Sequence, residues 1–389
     1  MFPKQWQAAT KVIRIIEQAG FEAYIVGGAV RDFYLDKKNA DVDIATSALP
    51  AEIQAIFSQT IDVGIEHGTV LVLDCGEPIE VTTYRTESTY TDHRRPDEVQ
   101  FVRNLEEDLK RRDFTMNAMA LSQTGDYIDL FNGRADIDAK IIRAVGNPSE
   151  RFKEDALRML RAIRFAAQLG FAIEEQTLQA IKEQSRSISY IALERIQIEL
   201  SKAWTSNYVY RAIEYIEQTG LAASLDGEFN ALDWKNFNSS DRQVGWAYFC
   251  FVNNLDTTLL TRYRLSNKDK QFTKQVIEAY TCMQTGLQAI DYLRFDLYIL
   301  QTAYQFTIWK KEVPLITYEE IERKKKALPI QHQKELALTG KDVLDWSERK
   351  RGPWIKTVLD AALLAVLDGK IANDKQQLKE WFHAFNDEG

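Results

Sequence analysis

Strand and helix signals are distributed unevenly along this chain, and that asymmetry limits the folds open to it. Short β-prone stretches occur at 23–26, 42–45, 69–73, 79–84 and 127–130, bounded by turn-forming residues. Helical patterns intervene at 5–19, 51–58 and around 113–121. After Gly146-Asn147-Pro148 the character changes: Leu157, Leu160, Ile163, Phe165 and Ala166 recur at helical spacing up to Gly170. The same period continues at 178–181, 191–204 and 208–218, with Gly220 as a stop. Strand signals nearly vanish beyond that point. The expected fold is an α+β N-terminal head, a small mixed β-sheet covered by helices, followed by an all-α remainder. Boundaries fall near 140, 205 and 305.

Composition excludes several classes. The 389 residues are 45% hydrophobic and 27% charged, with mean hydropathy −0.34, and no apolar run reaches the roughly 20 residues a membrane span needs. The first 20 residues read as an amphipathic helix ended by Gly20, not as a secretory leader, which favours the cytoplasm and no membrane partner. Cys75, Cys250 and Cys282 are too few and too scattered for a disulfide framework or a zinc pattern. The four histidines are equally dispersed.

A net charge of −8 is an average, and phosphate binding is decided by local clusters. Arg143, Arg151, Lys153, Arg158, Arg161 and Arg164 form one basic stretch. Arg323 to Lys326 and Arg349-Lys350-Arg351 are further islands, either solvated faces or nucleic-acid contacts.

The stretch from Tyr24 to Ala45 carries the chemistry. A strand runs into Gly27-Gly28, where glycines let the backbone approach a phosphate, and Arg31 follows at the start of a helix. Further on stand Asp41 and Asp43. In a strand, positions i and i+2 share a face, so the two carboxylates stand together while Val42 and Ile44 turn inward. Such a pair repels itself unless a cation joins it, and Mg²⁺ takes one or two carboxylates plus substrate phosphates. Glu80 alternates with Val81 on a neighbouring strand; it is either a third carboxylate of the same site or a solvent-facing side chain.

Gly27-Gly28-Ala29-Val30-Arg31-Asp32, then Asp41-x-Asp43, then Arg111-Arg112-Asp113-Phe114-Thr115-Met116-Asn117-Ala118 form an ordered set. With the segments DLFNGRADI, EDALR, ERIQIEL, RLSNK and LALTGKDVL, they strongly resemble class II, bacterial-type CCA-adding enzymes of the polymerase-β nucleotidyltransferase superfamily. The likeness runs over nearly the whole chain and is densest in the first 200 residues. It implies a catalytic head (1–140), a neck that selects the nucleobase (141–205), a helical body (206–305) and a tRNA-binding tail (306–389).

The resemblance assigns Gly28, Arg31 and Arg112 to the nucleotide, Asp41 and Asp43 to Mg²⁺, and Asp113 and Asn117, with Gly27, to the ribose or a secondary role. It makes Asp155 and Arg158 the base readers, with Arg161 and Arg164 beside them. Cytosine and adenine both present an amino donor next to a ring-nitrogen acceptor, which a carboxylate and a guanidinium match. Asp155 and Arg158 read as i, i+3 neighbours on one helix, with Glu154 bracing Arg158 at i, i+4.

The implied reaction is addition of C, C and A to tRNA from CTP and ATP. The polar segment 85–100, containing His93-Arg94-Arg95-Pro96, matches the loop that full CCA-adding enzymes carry and CC-only enzymes have shortened. CC-adding or A-adding enzymes, a bacterial poly(A) polymerase and a non-catalytic RNA-binding relative are the alternatives. The acidic balance weighs against poly(A) synthesis, and a homodimer is what the resemblance leans toward.

Overall fold

The computed structural model describes residues 4–37, 41–87, 99–347 and 349–387. Helix α1 (Lys4–Gln18) buries Trp6, Ala9, Val12, Ile13 and Ile16, a stripe at the helical period. It stops at Gly20, whose φ of 89° suits a residue without a side chain. The next elements are β1 (Ala23–Val26), α2 (Gly28–Tyr34), β2 (Asp43–Thr46), α3 (Pro50–Ile56), β3 (Thr60–Gly64), β4 (Thr69–Val72) and β5 (Ile79–Thr83). The short pair β6 (Arg85–Glu87) and β7 (Val99–Phe101) follows, then α4 (Leu105–Lys110), β8 (Ala120–Leu121) and β9 (Tyr127–Ile128).

Seven strands form one mixed sheet in the order β3-β4-β5-β2-β1-β8-β9. Within it β2 and β5 are parallel, with Asp43 opposite Glu80, and the other pairs are antiparallel. A parallel pair needs a long crossover, and α3, β3 and β4 supply it. Segment 79–84 is the expected strand, and β5 occupies Ile79–Thr83 of it.

The region around 113–121 departs from expectation. It holds a single 3₁₀ turn, Thr115–Asn117, and then β8, paired with β1 through Ile25–Leu121 and Val26–Ala120. Phe114, Met116, Ala118, Met119 and Ala120 are all fully buried. A segment buried on every side carries no period to separate helix from strand, and the open edge of β1 offers its backbone partners. Strand β3 escapes sequence reading for the opposite reason: at the sheet's edge, its Ile61 and Val63 stay about half exposed.

Helix α5 (Gly133–Asp138) and β10 (Ile141–Ile142) lead to α6 (Pro148–Glu154) and α7 (Leu157–Leu169). The sequence reads 154–165 as one helix; the chain instead breaks at Asp155, whose φ of −139° and ψ of 104° are extended. Asp155 Oδ1 accepts the Leu157 amide at 3.0 Å, so a short polar side chain restarts the helix. After β11 (Ala172–Ile173), α9 (Leu193–Trp204) and α10 (Val209–Thr219) pack on α7, and α8 (Glu175–Gln184) packs on α6 and α10. Gly170 (φ 71°) and Gly220 (φ 73°) close α7 and α10, as expected for left-handed caps.

The chain divides into two compact units. The first comprises Met1–Trp234 with 238–240 and 262–264, and the second the remainder. The second unit is helical, and its helices Arg242–Val252 and Leu297–Trp309 enclose an aromatic core of Tyr248, Phe251, Phe306 and Trp309. A further apolar cluster there unites Val343, Val358, Val366, Leu378 and Phe382. Among the described residues no helix is long and apolar enough to cross a membrane.

Candidate active site

Gly27 ends β1 with φ 72° and ψ −136°, open only to glycine without strain. A Cβ there would also stand 2.9 Å from Arg112 Nη1, so the backbone at this turn must stay bare. One turn into α2, Arg31 Nη1 donates to Asn117 Oδ1 at 2.7 Å and Nε to Asp32 Oδ1 at 2.9 Å. Asn117 in turn donates to Asp113 Oδ1 at 3.0 Å.

Asp113 is the hub of this network. Its Oδ2 accepts Arg161 Nε and Nη2 at 2.8 and 2.5 Å, and Oδ1 also accepts the Phe114 amide at 2.8 Å. Burial would raise its carboxyl, but Arg161 and the Asn117 hydrogen bond outweigh that and hold it at about 2, against an ordinary 3.8. The folded state therefore keeps the carboxylate charged, and the stability it contributes is fully present above about pH 4 and lost as pH falls through 2. The shift corresponds to about 2 kcal/mol. Asp113→Asn should accordingly lower the melting temperature at pH 7, and the gap to wild type should narrow between pH 5 and pH 2. A gap that stays constant across that range would contradict this assignment.

Phe165 carries three guanidiniums around one ring: Arg164 at 3.8 Å, Arg31 at 5.0 Å and Arg161 at 5.7 Å from its centroid. An aromatic face tolerates cations that would otherwise repel one another. Arg164 is further paired with Glu199 at 2.6 Å. Burial nevertheless lowers Arg164 to about 10 despite Glu199, with Arg161 and Arg31 adding to the drop.

Asp155 and Arg158 line the same cavity but do not pair through their side chains as an i, i+3 couple would. Arg195 grips Asp155, Nη2 to Oδ2 at 2.7 Å and Nη1 to Oδ1 at 3.3 Å. Arg158 donates to Glu154 at 2.5 Å, the brace expected at i, i+4, and to the carbonyl of Arg111 at 3.0 Å. The break at Asp155 turns its carboxylate from the helix ladder toward Arg195.

On the sheet side, Asp41 and Asp43 are exposed while Val42 and Ile44 are buried, the alternation read from the sequence. Parallel register sets Glu80 beside Asp43. Although its side chain reaches the surface, the protein crowding the Asp43 carboxyl displaces water from it; that desolvation, then Glu80, and to a smaller extent Asp41 push it up to about 6 against the pull of Arg112. Among the described residues no group of three or more His, Cys, Asp or Glu is already gathered closely enough to hold a metal ion.

Gly27, Gly28, Arg31, Asp43, Arg112, Asp113, Asn117, Asp155, Arg158, Arg161 and Arg164 border one open cavity of about 530 Å³, whose lining does not include Asp41 or Glu80. Seven arginines and three aspartates line it, an excess suited to a polyphosphate. Sequence reasoning gave no site role to Arg111, Phe165 and Arg195 of this lining, nor to Asp108 and Glu199 behind it. The i, i+3 and i, i+4 spacing of Asp108 to Arg111 and Arg112 was the one available signal; the other partners meet only through the fold. The tail islands lie in the second unit, and Lys325 there is spent on the carbonyls of Tyr292 and Phe295 at 2.6 and 2.8 Å. His93-Arg94-Arg95-Pro96 falls outside the described residues.

Family models cover most of the chain. Residues 23–143 match the poly A polymerase head domain, 170–231 a probable RNA and SrmB-binding site of polymerase A, and 237–382 a putative second domain of tRNA nucleotidyltransferases. A glycine turn, paired carboxylates and an arginine-lined cavity on such a head define a nucleotidyltransferase.

The relatives narrow this class. CCA-adding enzymes of Bacillus cereus and Bacillus cytotoxicus are each 39% identical to this chain over 98% of it and 99% of their own length. The crystal structure of the Bacillus stearothermophilus CCA-adding enzyme in complex with CTP matches with a TM-score of 0.90 at 37% identity, covering 99% of this chain and 98% of that one. The chain belongs to the family of bacterial-type CCA-adding enzymes. A Thermotoga maritima CCA-adding enzyme complexed with tRNA shares the fold, with a TM-score of 0.67 at 20% identity over 99% of this chain and 96% of that one.

Proposed function

We propose that this chain adds C, C and A to the 3′ end of tRNA from CTP and ATP, releasing pyrophosphate. The observation that carries the reading is that Asp155 and Arg158 border the same cavity as Gly27, Gly28, Arg31 and Asp43. A base reader and a phosphate cradle in one cavity suit a nucleoside triphosphate. In this reading the bare Gly27-Gly28 backbone admits the triphosphate, and Arg31 and Arg112 neutralise it. Asp113 and Asn117 stand on the ribose side, while Arg161 and Arg164 keep the wall positive.

Arg158 donates to the ring nitrogen of C or A, and Asp155 accepts from the exocyclic amine. A carboxylate offers about four lone-pair sites, so Asp155 can keep Arg195 while taking the base. Guanine and uracil would set donor against donor and oxygen against oxygen.

The carboxylate set fits Mg²⁺. Asp43 is strained by its like-charged neighbours Glu80 and Asp41, and all three offer hard oxygen ligands. Asp41 and Asp43 would hold the ion, with Glu80 assisting; when bound, it supplies positive charge for the attacking 3′-hydroxyl and the leaving pyrophosphate. The head, neck, body and tail divisions at 140, 205 and 305 remain our functional reading, with tRNA held by the tail. A cytoplasmic homodimer goes with it, on the family resemblance.

The test is incubation of the full chain with Mg²⁺ and tRNA lacking its last three nucleotides, with products resolved to single nucleotides. Two additions with CTP alone and a third when ATP is present are expected. A stop at CC, a long A ladder or no product would each replace this reading with CC addition, poly(A) synthesis or RNA binding without catalysis.

A further inference from the structure

Asp108 lies in α4, three and four residues before Arg111 and Arg112, with its side chain 1% exposed. Its Oδ1 accepts Arg111 Nε and Nη2 at 3.0 and 2.7 Å and the backbone amide of Arg85 at 3.4 Å. Its Oδ2 accepts Arg112 Nη2 at 3.0 Å. Burial would push this carboxyl up, but the Arg112 and Arg111 guanidiniums prevail and hold it below the ordinary range. A buried, charged and fully engaged carboxylate is costly unless its partners are fixed around it.

Both partners border the nucleotide cavity, and Asp108 does not. Arg112 Nη1 occupies the space that a side chain on Gly27 would take, and its charge is felt by Asp43. Arg111 reaches the other end of the cavity through its backbone, where its carbonyl accepts Arg158 Nη2 at 3.0 Å. One anion thus stands behind a guanidinium at the phosphate end and behind the main chain that steadies the base reader.

We infer that Asp108 is a positioning residue for the incoming nucleotide, acting through Arg112 and Arg111 without touching it. This rests on the reading that the cavity takes CTP and ATP. Arginine has many rotamers, and fixing them before the ligand arrives removes an ordering cost from binding. Removing the anion should therefore appear in KM more than in kcat.

The experiment measures single-cytidine addition to a tRNA ending before C, with the full chain as wild type, Asp108→Asn, Arg112→Ala and the double variant. Asp108→Asn is expected to raise KM for CTP about tenfold and change kcat less than about threefold. In the Arg112→Ala background its effect on KM should shrink to less than about threefold, because the residue it acts through is gone. An unchanged KM in Asp108→Asn, or losses that multiply in the double variant, would overturn the inference. Should Asp108→Asn lack the wild-type circular dichroism, Asp108→Glu, which moves the carboxylate by one methylene, is read the same way. A wild-type chain that adds no cytidine would overturn the reading of the cavity itself.

Discussion

Asp43→Ala is expected to reduce nucleotide incorporation at least about a thousandfold while leaving the fold intact. The first half follows from charge: loss of a carboxylate proposed to hold the metal removes several kcal/mol of transition-state stabilisation, and each 1.36 kcal/mol is tenfold in rate. The second half follows from place. Asp43 stands at the surface end of β2, where the surrounding protein removes part of the water around its carboxyl; that desolvation, and Glu80 beside it, push it up to about 6. Taking it away relieves repulsion, so the melting temperature should hold or rise. Single-turnover addition to tRNA, with thermal unfolding of the same sample, checks both. Activity within tenfold of wild type would remove Asp43 from the catalytic centre.

Asp155→Ala and Arg158→Ala should each cost about ten- to a hundredfold in kcat/KM for CTP and ATP, from the roughly 1–3 kcal/mol of a good bidentate base contact. More telling is the ratio of CTP to UTP. In the proposed reading, wild type rejects uracil because its carbonyl would meet the Asp155 carboxylate and its N–H the Arg158 guanidinium, leaving buried groups unpaired. With either group gone the clash is halved, and the ratio should fall by a similar factor. Arg158→Ala carries a second consequence, since Glu154 loses one partner and keeps Arg151 at 2.5 Å. The loop should therefore survive, and the specificity change is separable from unfolding by circular dichroism. An unaltered CTP to UTP ratio in both variants would transfer base selection elsewhere.

Much of the candidate site was legible because its chemistry is local. Gly27-Gly28 before Arg31, and Asp41 alternating with Asp43, declare themselves within a few residues, as does the Glu154–Arg158 brace. Fold class was legible for the same reason: hydrophobic period reports strand or helix wherever an element has one wet face. It failed where that condition failed, in the fully buried 113–121 and the exposed edge strand β3.

What the sequence by itself determined is the α+β head, the helical remainder, and the choice of the groups proposed to meet phosphate, base and cation. Tertiary structure alone decided who restrains whom. Arg31 finds Asn117 across 86 positions, Arg161 finds Asp113 across 48, and Arg195 finds Asp155 across 40. The Asp43–Glu80 pairing depends on strand register. Such partners are selected by packing and by the need to satisfy buried charge, and neither leaves a period in the chain.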